Sequence, residues 1–333
     1  MCGTKNKGKT GSLSKFKYIV PKNNKPEHGN KIKSMVISIM MFNKHGTFYV
    51  RASWPRKGLM AIKDNPTIFT PKNEFEAVDK LGIGRVMVTS LRYWMTALGL
   101  ATEDKNGAGM IVLKPTEIAR EILKNDRFFQ QIGTAWILHR NLVKTPENAT
   151  TWYWFFNKFE KTVFTKEDFL NDLKAYITTN GQTVANTSLN RDFNCLKNTY
   201  EEERFDDISE YIEEGIISYF SKLNLVKAEN KNTYRKLNPK SKLLSAHIIM
   251  YSILDDLKHY REYQNQIGID ELFKKEGYVG KVFNLSYSLL MEKLDELERM
   301  GYIKIFSRFG HNHIELVKRD KKSILEDYYG KDI

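Results

Sequence analysis

Three times along this chain, two short helix-forming segments are followed by a strand, a turn and a strand. That repeated order constrains the fold more than any other feature. In the first copy Asn73 is placed to cap a helix through Leu81, the turn Leu81-Gly-Ile-Gly84 follows, and a second helix runs over residues 85–98. Val86, Met87, Leu91, Trp94 and Met95 make an apolar stripe at helical spacing, and Gly99 suits the left-handed position past the last turn. Residues 100–103 and 110–113 then flank a turn over 104–109.

The second copy opens on a Thr165–Asp168 pair with capping-box spacing. Asn180-Gly181 links it to a helix from near Ser188 to about Tyr200, and strands are expected over 223–228 and 233–237. The third copy has an amphipathic helix over 242–260, a helix pair over 269–275 and 286–300, and strands over 302–306 and 313–317. Between the first two copies lies an aromatic-rich helical stretch, 115–163, in which Trp152, Phe155, Phe156 and Phe159 share a face suited to core packing. Ahead of them, residues 34–42 and 47–54 read as short strands interrupted by Pro55, Pro66 and Pro71. The expected fold is therefore mainly α with small β-hairpin wings, an α+β chain of tandem winged-helix or helix-turn-helix modules. Its expected divisions are a basic disordered tail at 1–34, strands with the first module and the aromatic segment at 35–163, a second module at 164–239 and a third at 240–333.

Charge narrows the partners. The chain carries 53 Lys and Arg against 40 Asp and Glu, a formal excess of +13, which favours a polyanion. Nine lysines between Lys5 and Lys33 face one acid, Glu27, so the tail is expected to add salt-sensitive affinity for phosphates. Cys2 and Cys195 form no CxxC pair, which argues against a disulfide framework or structural zinc and fits a reducing cytoplasm. The N-terminus has no apolar leader, and the apolar run 35–42 is too short to cross a bilayer. A membrane partner is not expected. No GxxxxGK[ST] loop is present, which argues against an ATPase.

A helix that reads the major groove lies beside phosphates, so acids on it are costly while Arg, Lys, Asn, Ser and Thr are useful. The first candidate helix offers Arg85, Thr89, Ser90 and Arg92 with no acid. The second offers Ser188, Asn190, Arg191, Asn194 and Lys197 against a single acid, Asp192. The third carries Glu292, Asp295, Glu296 and Glu298, so it is assigned to protein contacts. For chemistry, His45 and Arg51 form the candidate pair, emerging from one strand near the basic tail. The acidic runs at 201–203 and 206–207 read as an exposed face rather than a metal site. No cofactor is evident.

Four segments together carry a resemblance. They are Gly46-Thr-Phe-Tyr-Val-Arg51 with Trp54 and Lys57-Gly-Leu59; Leu81-Gly-Ile-Gly-Arg-Val-Met-Val-Thr-Ser-Leu-Arg-Tyr-Trp94; Gly133-Thr-Ala-Trp-Ile-Leu-His139 with Ala149-Thr-Thr-Trp-Tyr-Trp-Phe-Phe-Asn157; and Ser188-Leu-Asn-Arg-Asp-Phe-Asn-Cys-Leu196 with Thr199-Tyr200. The set resembles a bacterial domain-of-unknown-function family associated with DNA phosphorothioation clusters, which includes the SspB-like DNA-nicking component. The resemblance implies a DNA-binding component of a phosphorothioation and phage-defence system that nicks, or positions, one strand of double-stranded DNA for sulfur insertion. The partners it implies are a cysteine desulfurase, an ATPase and a sulfur-activating enzyme, with a homodimer also open. A divalent metal such as Mg²⁺ is implied only if the chain nicks. The family pattern has a glutamate after the His where this chain has Gly46, which bears on that activity. A non-enzymatic adaptor or transcriptional regulator using the same helices is the alternative.

Overall fold

The computed structural model describes residues 40–107, 109–201, 217–260, 265–308, 311–318 and 320–330. The expected tail at 1–34 and the acids from Glu202 to Asp207 lie outside the described residues.

The strand expected over 47–54 does not form. Residues 43–47 are a turn, Arg51 makes one isolated bridge to Ser218, and the chain enters helix α1, Trp54–Asp64. Pro55 is the reason. Its ring presets a helical φ and its missing N–H costs nothing in a first turn, so it starts a helix here rather than breaking a strand. α1 buries Trp54, Gly58, Leu59 and Ile62. A Cβ on Gly58 would sit 2.4 Å from the Met95 sulfur, so any other residue here would have to displace that side chain.

Met95 belongs to the first helix pair, α2 (Glu74–Leu81) and α3 (Arg85–Ala97). Gly82 ends α2 with φ 64°, a left-handed conformation glycine adopts without steric penalty. β1 (Ala101–Lys105) and β2 (Ile111–Pro115) follow as an antiparallel hairpin with Glu103 opposite Leu113. Then come α4 (Glu117–Asn125), capped by the Thr116 hydroxyl, α5 (Ile132–Val143) and α6 (Thr150–Asn157). Every residue of α6 is buried, as are Trp136 to Arg140 of α5. α5 and the aromatic-rich α6 supply much of the core.

The second copy is β3 (Val163–Thr165), α7 (Lys166–Thr179), α8 (Asn186–Tyr200), β4 (Val226–Ala228) and β5 (Thr233–Lys236). Both halves of the capping box between Thr165 and Asp168 are made. The third copy follows α9 (Ala246–Tyr260). It comprises β6 (Gln266–Gly268), α10 (Ile269–Lys274), α11 (Val279–Val282), α12 (Tyr287–Arg299), β7 (Ile303–Arg308) and β8 (His311–Leu316), with α13 (Lys321–Tyr329) last. In both, the strand before the helices pairs antiparallel with the last strand, giving sheets ordered β3-β5-β4 and β6-β8-β7. The first copy has the hairpin alone. The chain is thus an α+β protein of helices with small antiparallel sheets.

One apolar cluster runs from Val50 to Tyr329. Polar ties cross it. Arg140 of α5 is buried and bonds Asp255 at 2.8 Å and Asp256 at 2.5 Å on α9, while Lys321 of α13 reaches Asp255 at 2.6 Å. Although burial opposes it, Arg140, Lys321 and Lys144 together hold Asp255 well below the usual carboxylate range. Among the described residues, no helix is long and apolar enough to cross a membrane.

Candidate nucleic-acid interface

α8 forms because its apolar positions recur at helical spacing. Leu189, Phe193, Leu196 and Tyr200 pack inward, as do Cys195 and Thr199. The opposite side presents Asn186, Thr187, Arg191, Asn194 and Asn198 as exposed residues, with Ser188, Asn190 and Lys197 half-buried at its margins. Lys197 pairs with Glu201 at 3.3 Å, and the Asn190 amide donates to the Asn186 carbonyl. Ala185 gives α8 no side-chain cap, and its first turn has no acid. Its leading N–H groups and dipole therefore favour an anion. Beside this end, a groove of about 490 Å³ lies between the starts of α7 and α8 and the β4–β5 turn. Lys166, Asn171, Lys174, Asn190 and Asn232 line it with one acid, Glu167.

Asp192 was the acid weighed against this helix. The structure turns it inward, 1 % exposed. Its Oδ1 accepts from the Asn43 N–H and from His45 Nε2, both at 2.8 Å, and its Oδ2 accepts from the Thr151 hydroxyl at 2.5 Å. Charge-assisted bonds of this kind are what make a buried carboxylate tolerable. The outward face of α8 is left without an acid. Burial, reinforced by the Asp192 charge, pushes the Tyr93 phenol and the Cys195 thiol well up, so neither ionises near neutral pH.

On α3, Arg85 is exposed and paired with Glu74, and Thr89 is exposed. Arg92 is forked onto Glu103 of the hairpin through two bonds of 3.1 and 2.7 Å. Ser90 does not belong to the outer face. It is buried, and its hydroxyl donates to the His45 carbonyl at 2.7 Å. Ser90 shares the stripe of Leu91 and Trp94 rather than that of Arg85 and Thr89, so the helical register takes it inward.

His45 and Arg51 are not brought together as an open pocket. His45 is fully buried, with Nδ1 accepting from the Thr47 N–H at 3.1 Å and Nε2 committed to Asp192. Arg51 is half-buried, its guanidinium 5.8 Å above the Trp54 ring. Sequence reasoning also missed the Lys166, Lys174 and Asn171 side of the α8 groove. Their helical spacing on α7 was visible, but the neighbour they face was not.

On α12, the residues weighed against DNA contact keep an outward acidic character. Glu292, Asp295 and Glu298 are exposed, and Ser286 caps the helix start through the Leu289 N–H. An occupied cap and acids on the face make it electrostatically unlike α8.

These features define a helical α+β chain with one asparagine-rich, acid-free helix face, on α8, and a second face, on α3, whose arginines are paired with Glu74 and Glu103. Over residues 42–329 it matches the family described as a protein of unknown function, DUF4007, and the chain belongs to that family. Among solved structures it is similar to a magnesium ion-bound SspB, at 22 % identity and TM-score 0.77, covering 87 % of this chain and 88 % of that one. A second SspB crystal structure is similar at 23 % identity and TM-score 0.74, over the same shares. No curated protein matches the chain.

Among the described residues, no group of three or more His, Cys, Asp or Glu is disposed to hold a metal ion. Asp255 and Asp256 lie together, yet Arg140, Lys144 and Lys321 already neutralise them. That carboxylate pair is therefore not open to a divalent cation.

Proposed function

We propose that this chain is the DNA-binding component of a bacterial DNA phosphorothioation and phage-defence system, working in the cytoplasm on double-stranded DNA. The reading rests on the outward face of α8, where Asn190, Arg191, Asn194 and Asn198 stand together with no acid because Asp192 points inward. Neutral amides and a guanidinium free of carboxylates are the side chains that reach base edges and phosphates in a major groove. The strand-helix-helix-hairpin order of the second copy supports taking it as a winged-helix module, with α8 as its reading helix and the β4–β5 turn as its wing. Arg85, Thr89 and Arg92 of α3 add a second contact, weaker because Glu74 and Glu103 already occupy both arginines. Ser188 and Lys197 border the α8 contact. The likeness to SspB and the phosphorothioation resemblance supply the system in which binding would matter. Its partners there are a cysteine desulfurase, an ATPase and a sulfur-activating enzyme.

Strand nicking is the finer form of this proposal, with Mg²⁺ as the metal it would require. A supercoiled-plasmid assay with Mg²⁺ decides between nicking and an adaptor or regulator. Conversion to open circle supports a nickase; retardation of the plasmid without conversion supports the adaptor. Binding that is weak and unchanged between low and high salt refutes the DNA reading altogether, since phosphate contacts release counterions.

A further inference from the structure

The turn at residues 43–47 touches the inner sides of both helices whose outer sides form the proposed interface. From α3, the Ser90 hydroxyl donates to the His45 carbonyl at 2.7 Å. To α8, His45 Nε2 reaches Asp192 Oδ1 at 2.8 Å. The Thr47 N–H donates to Nδ1, so that nitrogen carries no proton and Nε2 carries the one given to Asp192. The backbone of the turn thereby selects the only neutral tautomer that can make the link. Trp94 of α3 and Trp152 of α6 close over the ring, with centroids 6.4 and 5.5 Å away.

The turn itself is conformationally demanding. Asn43, Gly46 and Thr47 have φ of 52°, 58° and 75°. Glycine tolerates this region and asparagine visits it, but a β-branched threonine there is a true outlier. Such a backbone persists only where its surroundings over-determine it, and here those surroundings are the bonds to α3 and α8 and the Trp152 ring of α6.

We infer that His45 is a positioning residue that holds α3 and α8 at one separation, so that the two outer faces meet DNA as a single bivalent surface. The inference rests on the DNA-binding reading of those helices. Linking two contacts rigidly makes the second an intramolecular event, and the gain disappears when the spacing is free to vary. His45 thus acts on DNA from inside the protein, through Asp192 and Ser90, without touching it.

The test is a double-mutant cycle on one duplex of about three helical turns, read by fluorescence anisotropy. Arg85→Ala, which removes the main α3 contact, is expected to weaken binding by several-fold in the otherwise unaltered protein and by less than about twofold in the His45→Ala background, because free spacing already forfeits that contact. His45→Gln, which keeps a donor for Asp192, is expected to restore most of the Arg85→Ala effect. An Arg85→Ala effect that is undiminished in the His45→Ala background overturns the inference. If the unaltered protein does not bind the duplex, the DNA reading fails by itself. The link is then judged by hydrogen exchange, where His45→Ala should speed exchange in α3 and α8 together. Unchanged protection in either helix overturns it.

Discussion

His139 is a buried base whose neutrality the fold depends on, and acid should expose that dependence. Its ring lies at the centre of the aromatic core, with Trp136, Phe156, Tyr200 and Phe283 around it. Nε2 donates to the Val282 carbonyl at 2.8 Å, so Nδ1 accepts from the Tyr200 hydroxyl at 2.8 Å. Burial drives its pKa down to about 3, with the Val282 bond opposing only part of that shift. In the unfolded chain the same imidazole takes up a proton near pH 6.5. Between these values the unfolded state binds one more proton than the folded one, so stability falls as pH falls, by about 1.4 kcal/mol per unit. From pH 7 to pH 4 this single group should remove about 3 kcal/mol. His139→Gln tests it, because an amide can donate to Val282 and accept from Tyr200 yet never titrates. The variant should be less stable at pH 7, through imperfect packing, and its disadvantage should shrink by about 3 kcal/mol by pH 4. Denaturant unfolding of both proteins at pH 7, 6, 5 and 4 measures this, and all other titrating groups cancel in the difference. Parallel stability curves would refute the assignment of a neutral buried His139.

Lys236 should act with the same sign in the alkaline range. Burial lowers its pKa to about 7, and its Nζ donates to the Phe155 and Phe159 carbonyls at 2.8 and 3.1 Å. The unfolded lysine stays protonated until about pH 10.5, so stability should rise between pH 7 and 10 relative to Lys236→Met; thermal melts across that range check it. Gly280→Ala places a Cβ 2.2 Å from the Phe273 carbonyl oxygen, a backbone atom that cannot swing aside, and should cost about 2 kcal/mol or more in chemical unfolding. Arg191→Glu should weaken duplex binding far more than Arg299→Glu, because Arg299 sits on the acidic α12 face. Anisotropy titrations at two salt concentrations read the difference, and equal losses count against α8 as the reader.

Much of the local structure was legible along the chain. The apolar stripe after Gly84 yields α3 within a residue of its expected end, and the Thr165–Asp168 spacing marks the start of α7. The hairpins fall where Asn-Lys-Asn and Asn-Gly stretches interrupt strand-forming runs. Pro55 was the misleading signal. The same ring that breaks a strand starts a helix, and only the packing of Trp54 and Leu59 against the core decides which.

The candidate interface divides along the same line. Composition and periodicity alone determined that this chain builds repeated helix-hairpin units, carries a surplus of positive charge and places amides and arginines on α8. Those properties are local, set by neighbours three or four residues apart. Tertiary structure alone decided that Asp192 and Ser90 turn inward, that Glu74 and Glu103 take up Arg85 and Arg92, and that His45 is a buried link between helices. Each of these depends on a partner 11 to 147 positions away, a separation that no periodicity in the sequence encodes.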